Sequence, residues 1–344
     1  MAPSSGRVRG SSVQMTTSRR QTSLATLITT GTLCGGLLGL GRKAHAEEEP
    51  EADAPPPPPP PPQSIFVAGA TGATGSLVTK RLASVAPDVN LIAACRSATK
   101  AAELKLNETG ATIVENLDVT DVNSIKRALK AAPGGVPTTV VCATGFVPGW
   151  NVLKMGELAH AVDNVGTKNL VDACVELGVK NFVLVSSILT NGRAIGQEKS
   201  PGFVITNAFG GVLDEKLEAE LYLRKSGLRY AIVRPGGLKD AGVEPAGPIV
   251  LAAEDSAFSG EIGRDRVAEV VAEYALRTVG LSAIPMNDMP GMSMGAGEKV
   301  HTMDGFKENH VVEIIEKTSC IGDGDGCPSS PALGVDTSAL KAFA

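Results

Sequence analysis

Three glycines spaced three residues apart, Gly69, Gly72 and Gly75, are the residues of this chain whose type and spacing imply chemistry most directly. They stand in SIFVAGATGATG, Ser64–Gly75, after the apolar run Ile65, Phe66, Val67, Ala68 and before Val78, Leu82 and Val85 at helical spacing. That pattern reads as a buried strand, a tight turn and the start of a helix. In such a turn one glycine permits the bend, one lets backbone approach a diphosphate, and one lets helix and strand pack closely. With Thr71, Ala73 and Thr74 they would form a cradle of amides at the positive end of the helix, where the diphosphate of a dinucleotide is held.

Further binding chemistry is expected where later strands end, because in an open parallel sheet the ligand lies beyond the carboxyl ends of the strands. After the apolar run Asn90–Cys95 comes Arg96, with Lys100 a turn later and no acid nearby. An acid at this place would accept from a ribose 2′-hydroxyl, whereas an arginine pairs with a 2′-phosphate. The expected cofactor is therefore NADP, with NAD the alternative. After the third apolar run, Asp118 and Val119 stand where a carboxylate could accept from the adenine amino group; the competing reading makes Asp118 or Asp121 the cap of the next helix. Ala143-Thr144-Gly145 is a small-residue turn against which the cofactor's ribose could lie.

Positioning these groups requires a regular scaffold, and the pattern supplies one. Strands read at Asn90–Cys95, Ala111–Glu115, Thr138–Ala143, Asn181–Ser187 and Leu228–Arg234, with helices at about 76–86, 98–108, 121–131, 157–178 and 211–226. A short apolar piece at 248–253 precedes a helix at about 264–279; residues 283–297 read as loop and Lys299–Met303 as a seventh strand. Strands alternating with helices predict an α/β fold, a single doubly wound parallel sheet of about seven strands with a small C-terminal substrate region. Hydrophobic residues make up 43% of the chain but aromatics only 3%, so the core must be mostly aliphatic, which suits buried parallel strands. The net charge of −5 gives no reason to expect nucleic acid as a partner. No metal-ligand spacing links the scattered histidines and cysteines, and Cys95, Cys142 and Cys174 read as small buried thiols.

Outside 64–317 the composition changes. Residues 1–46 carry Arg7, Arg9, Arg19 and Arg20 among Ser and Thr with no acid before Glu47, the composition of an organelle transit peptide. Leu24–Leu40 is modestly apolar, too short and Gly-rich for a membrane span, and is followed by Ala44-His45-Ala46. Arg19-Arg20 ahead of it resembles a twin-arginine export signal without its usual Phe-Leu-Lys part, so the chloroplast stroma or the thylakoid surface and the lumen are both carried forward. Residues 47–63 are an acidic linker with eight consecutive prolines, Pro55–Pro62, an extended spacer on which a polyproline-reading partner could dock. Residues 318–344 read as a disordered tail, whose Cys320 and Cys327 would be free thiols in a reducing stroma or could close a small loop in an oxidising lumen.

Several separated stretches carry a family likeness: GATGATG, CATGF at 142–146, VDNVGTKNLVDAC at 162–174, FVLVSSILTNG at 182–192 and SGLRYAIVRPGGLK at 226–239. Together they resemble the atypical short-chain dehydrogenase/reductases, single Rossmann-type domains that bind NAD(P), and within them the plastid flavin-reductase-related proteins of plants and algae. The larger branch of that family uses a Tyr-x-x-x-Lys pair with a serine from the end of the fifth strand, the tyrosine donating a proton as hydride moves. The resemblance maps the lysine onto Lys216 and the serines onto Ser186 and Ser187, and it borders the nicotinamide with the turn Arg234-Pro235-Gly236-Gly237, Pro235 and Gly236 foremost. Four residues before Lys216 stands Val212, so the tyrosine is absent. Lys216 then reads either as a ribose-binding or proton-donating group or as a surface partner of Glu220. Asp163 and Asn164 read as facing the turn after the fourth strand and Asn169 as bonded to a neighbouring loop, all three structural. Trp150, Phe203 and Phe209 stand in stretches that would line the substrate pocket and could lie against a planar ligand, with packing the competing reading. The implied activity is NADP-dependent hydride transfer to a conjugated acceptor such as a flavin, quinone or tetrapyrrole, whose delocalised charge reduces the need for a tyrosine. The rivals are a non-catalytic, redox-sensing NADP(H)-binding module docked on thylakoid, plastoglobule or envelope partners, and an isomerase or dehydratase.

Overall fold

The computed structural model describes residues 63–147, 152–208, 210–242, 247–281, 292–294 and 309–316. The leader, the polyproline run, Trp150, Phe209, the expected strand at Lys299–Met303 and the tail with Cys320 and Cys327 lie outside the described residues.

Strand β1 (Ser64–Ala68) is followed by α1 (Ala73–Val85), β2 (Asn90–Ala94), α2 (Ala98–Glu103), β3 (Thr112–Val114), α3 (Val122–Lys130) and β4 (Thr139–Cys142). Then come α4 (Met155–Ala159), a π-helical segment His160–Gly166, α5 (Thr167–Leu177), β5 (Asn181–Val185), α6 (Pro201–Asn207), α7 (Val212–Lys225) and β6 (Arg229–Pro235). The remainder is β7 (Gly237–Lys239), β8 (Ile249–Ala252), β9 (Glu261–Gly263), α8 (Arg264–Thr278), β10 (Met292–Met294) and β11 (His310–Glu316).

These form an α/β fold about a mostly parallel sheet of nine strands in the order β10-β8-β11-β6-β5-β4-β1-β2-β3, with β7 and β9 a separate parallel pair. Alternation along the central strands feeds two cores. Ile65 and Val67 of β1 join Val141, Val183, Val233 and the inner faces of α1 and α8, including Val78, Leu82, Val267 and Val271. Phe66 and Ala68 join Val140, Phe182, Ile232 and the faces of α3, α5 and α7, including Ile125, Leu170 and Leu223. A helix layer therefore covers each side, the arrangement that parallel strands buried on both faces require.

The sheet is larger than the seven strands expected. Ile249–Ala252 and His310–Glu316 are both strands, and β11 inserts between β6 and β8, parallel to the first and antiparallel to the second. Met292–Met294 is a strand beside β8 rather than part of a loop. The sequence HVVEIIE hides its burial because Glu313 interrupts the apolar run, yet that side chain is 1% exposed. Its charge is met from another strand, which no local pattern reveals. Helix α6 is also additional, begun by Ser200, whose hydroxyl accepts from Phe203 N–H, and by Pro201 in the first turn.

Candidate functional site

The glycine turn is built as the spacing requires. Gly69 has φ +79°, and its amide and that of Ala70 both donate to Ala94 O at 3.1 and 3.0 Å, tying the turn to the end of β2. A Cβ on Gly75 would sit 2.2 Å from Gly69 O, so only glycine lets α1 pack this close to the turn. A Cβ on Gly69 would meet Ala143 O at 2.9 Å and Thr144 Cγ2 at 3.0 Å. The turn after β4 therefore lies directly against the glycine turn. No side chain caps α1, which leaves the amides of Ala73, Thr74 and Gly75 as a cradle for an anion. The residues fit a dinucleotide.

The other expected contacts fall along the same strand ends. Arg96 and Lys100 are exposed just past β2. Asp118 is exposed, and its Oδ1 accepts from the Thr120 amide and hydroxyl at 2.9 and 2.7 Å. Asp121, not Asp118, caps α3 by accepting from Asn123 N–H. Val119 is buried, and its carbonyl accepts from Asn169 Nδ2 at 3.1 Å, the loop bond expected of that asparagine.

Lys216 is brought to the turn after β4. Its ammonium lies 2.9 Å from Asp163 Oδ1 and 4.0 Å from where a Gly145 Cβ would stand. The Lys216 side chain is 17% exposed and Asp163 1%, so the surface pairing with Glu220 is not the arrangement found. Burial by itself would lower the lysine's pKa, but the adjacent Asp163 carboxylate outweighs it and holds the ammonium above the ordinary lysine range. Asp163 Oδ2 also accepts from Phe146 N–H at 3.1 Å, in the turn after β4. Beside it, Asn164 Nδ2 donates to Glu215 Oε2 at 2.6 Å, an oxygen shared with His160 Nδ1 at 2.9 Å. Asp163 faces the turn after β4 as its place in the sequence suggests; the pairing with Lys216 was not foreseen, although a carboxylate adjoining Val162 on a buried helical stripe requires a cation.

At the end of β5 the two serines part. The Ser186 hydroxyl is buried and donates to Glu220 Oε1 at 2.5 Å, whereas Ser187 is half-buried with no side-chain hydrogen bond among the described residues. Arg234, ahead of Pro235 and Gly236, is fully buried rather than facing a ligand. It pairs with Glu220 at 2.6 Å, Asp255 at 2.8 Å, Glu254 at 3.2 Å and Glu313 at 3.3 Å. Gly236 donates to Ile314 O at 2.9 Å, so the Pro235-Gly236 turn is fastened to β11. Phe203 is 3% exposed in a small core with Ile188, Leu189 and Leu213, which is the packing role. Tyr222 OH donates to Asp172 at 2.7 Å on the outer surface, and Tyr230 lies at the opposite end of β6 from Pro235, so neither replaces the missing tyrosine. The three described cysteines are buried, and burial raises each thiol's pKa.

An uncharacterised chloroplastic protein of Arabidopsis thaliana is 43% identical over 215 residues, covering 62% of this chain and 72% of that protein. The chloroplastic protein TIC 62 of the same plant is 36% identical over 222 residues, 60% of this chain but only 33% of TIC 62. Sanguinarine reductase of Eschscholzia californica is 28% identical over 61% of this chain and 83% of its own length. Among solved structures, an anaerobilin reductase from Escherichia coli O157:H7 superposes with TM-score 0.52 at 19% identity, covering 75% of this chain and 98% of that one. An oxidoreductase from Lactococcus lactis gives TM-score 0.51 at 20% identity over 75% and 92%. Residues 69–277 match the NAD(P)H-binding family, and the chain, a Rossmann-type dinucleotide-binding domain with chloroplastic homologues, belongs to it.

Proposed function

We propose that this protein is a plastid NADP-dependent reductase that passes hydride to a conjugated acceptor such as a flavin, quinone or tetrapyrrole. The observation that carries the reading is convergence: the glycine turn touches Ala143 and Thr144, and the Lys216 ammonium stands beside Gly145 of the same turn. Gly69, Thr71, Gly72, Ala73, Thr74 and Gly75 would hold the diphosphate, Arg96 the 2′-phosphate, Asp118 and Val119 the adenine edge, and Ala143, Thr144 and Gly145 the nicotinamide ribose. When bound, the dinucleotide supplies the hydride. Lys216, kept protonated by Asp163, is placed to donate a hydrogen bond to the ribose, and the Ser187 hydroxyl is open to do the same for an acceptor. Pro235 and Gly236 would flank the nicotinamide through their backbone. With Val212 where a tyrosine would stand, no phenol is at hand to protonate an alkoxide, a loss of about 10²–10⁴ in rate for a simple ketone. An acceptor that spreads the charge needs positioning rather than a strong acid.

The chloroplastic relatives support a plastid location, with the stroma or a thylakoid or plastoglobule surface as the site of action, and reductases among the relatives support the reaction class. Full-length protein incubated with NADPH and a panel of flavins, quinones, tetrapyrroles and ketones tests the reading. Oxidation of NADPH with conjugated acceptors and not with ketones is expected. Tight NADPH binding with no oxidation above background on any acceptor would overturn it in favour of a redox-sensing module, the second reading that Val212 favours.

A further inference from the structure

We propose that Glu313 is a positioning residue: its carboxylate holds the segment after β8 against the end of β6 and so sets the Pro235-Gly236 turn on which the nicotinamide end of the dinucleotide would rest. The inference rests on the cofactor placement proposed above and adds the group that fixes one half of it. Glu313 stands in the middle of β11, in register with Arg234 on β6 and Ala252 on β8. Its two oxygens accept from four donors. Oε1 takes the Asp255 amide at 3.0 Å and Arg234 Nη1 at 3.3 Å, and Oε2 takes the amides of Ser256 and Ala257 at 3.0 and 2.6 Å. Three successive amides turned toward one anion form a nest, and Asp255, left-handed with φ +61°, bends the chain into it.

The segment so held encloses the turn. Gly236 N–H donates to Ile314 O, the next residue of β11, and Gly237 N–H donates to Gly260 O, both at 2.9 Å. A Cβ on Gly236 would stand 2.5 Å from Gly260 O and 3.0 Å from Ile315 Cγ2, so the turn lies closely between β11 and the chain that follows the nest. Asp255 extends the hold sideways. Its Oδ1 accepts from Arg234 at 2.8 Å and its Oδ2 from Asn191 Nδ2 at 2.7 Å, in the loop that follows Ser187. Ala257 shares a small core with Ile188 and Leu189 of that same loop. The glycine turn and Arg96, by contrast, follow β1 and β2, with β6, β5 and β4 between them and β11. A buried ion pair contributes little stability that a packed apolar side chain would not. What this carboxylate supplies is position, because an acceptor aimed at three amides fixes backbone as an apolar group cannot.

Calorimetry on the full-length protein with NADPH and with 2′,5′-ADP, which lacks the nicotinamide half, separates positioning from general damage. Glu313→Gln keeps the shape but turns one acceptor into a donor facing the amides. It is expected to weaken NADPH binding about tenfold, the scale of one or two lost polar contacts. Binding of 2′,5′-ADP should stay within about twofold of the wild type, since its site is distant and shares no partner with Glu313. The emission of bound NADPH, which reports the surroundings of the nicotinamide, should shift. Hydrogen exchange should quicken over 253–260 and 235–237 and stay as it was over 69–75.

Unchanged NADPH affinity and emission in Glu313→Gln, or equal weakening of both ligands, would overturn the proposal. Should the Gln variant not fold, exchange of the 255–257 amides in the wild type as fast as in an open loop would do the same. A wild type that binds neither ligand would instead remove the cofactor reading, and unchanged exchange over 235–237 in the variant would still show that Glu313 does not set the turn.

Discussion

Arg96 and Lys216 give the molecule two cations with different work, and each predicts a separate result. Arg96 is exposed past β2, where it can meet a 2′-phosphate without rearranging the core. Arg96→Ala should weaken NADPH binding roughly ten- to a hundredfold and leave NADH unchanged, as calorimetry with both nucleotides would show. Lys216 is buried and paired, and its folded pKa lies above the ordinary 10.5. A cation stabilised in this way contributes stability that is fully present below pH 10.5 and is lost as pH rises through the raised value. Thermal melts across alkaline pH should therefore fall less steeply for Lys216→Met than for the wild type. Gly75→Ala would drive a methyl to 2.2 Å from Gly69 O; it should cost about 1–3 kcal/mol in urea unfolding and loosen the cradle. The glycine turn was legible in the sequence because its signal is local. The pairing of Asp163 with Lys216 was not, because only α7 packing against the π segment brings the two near.

At the scale of elements, the central strands and most helices were legible because apolar runs and helical periodicity alternate without interruption from Ser64 to Pro235. Beyond Pro235 the signal fails for a physical reason. β11 carries a carboxylate inside the sheet, and the cation that permits it sits on β6. Arg234 ties β6 to α7 through Glu220, to the segment after β8 through Glu254 and Asp255, and to β11 through Glu313. Glu313 in turn accepts from the amides of Asp255, Ser256 and Ala257 at 3.0, 3.0 and 2.6 Å. Burial pushes the Glu313 carboxyl up, while those amides and Arg234 oppose the rise without cancelling it. Arg234→Met would leave Glu313 buried without its cation and Glu220 with only Arg224, 3.7 Å away. Loss of about 3–5 kcal/mol is expected in chemical denaturation, the cost of breaking a buried pair from one side.

For the whole molecule, the family and the sheet architecture were readable from motifs spread over 64–280, whereas the number of strands was not. The two cores on either side of the sheet explain why so few aromatics suffice: aliphatic side chains from β1, β4, β5 and β6 fill both layers with helices on each face. Among the described residues no helix is long and apolar enough to cross a membrane.

The placement of β11 has a consequence for how the protein comes into being. The strand that fills the gap between β6 and β8 is the last of the described strands in chain order, so the sheet's interior is completed only after its other described strands have been synthesised. Until it arrives, β6 presents an unpaired edge and Arg234 lacks one of its buried carboxylates. Pairings of such wide sequence separation form slowly, and open strand edges invite association with other chains. Folding of the nascent chain should therefore stall in a sticky, chaperone-dependent state until His310–Glu316 is available, then finish by inserting a single strand.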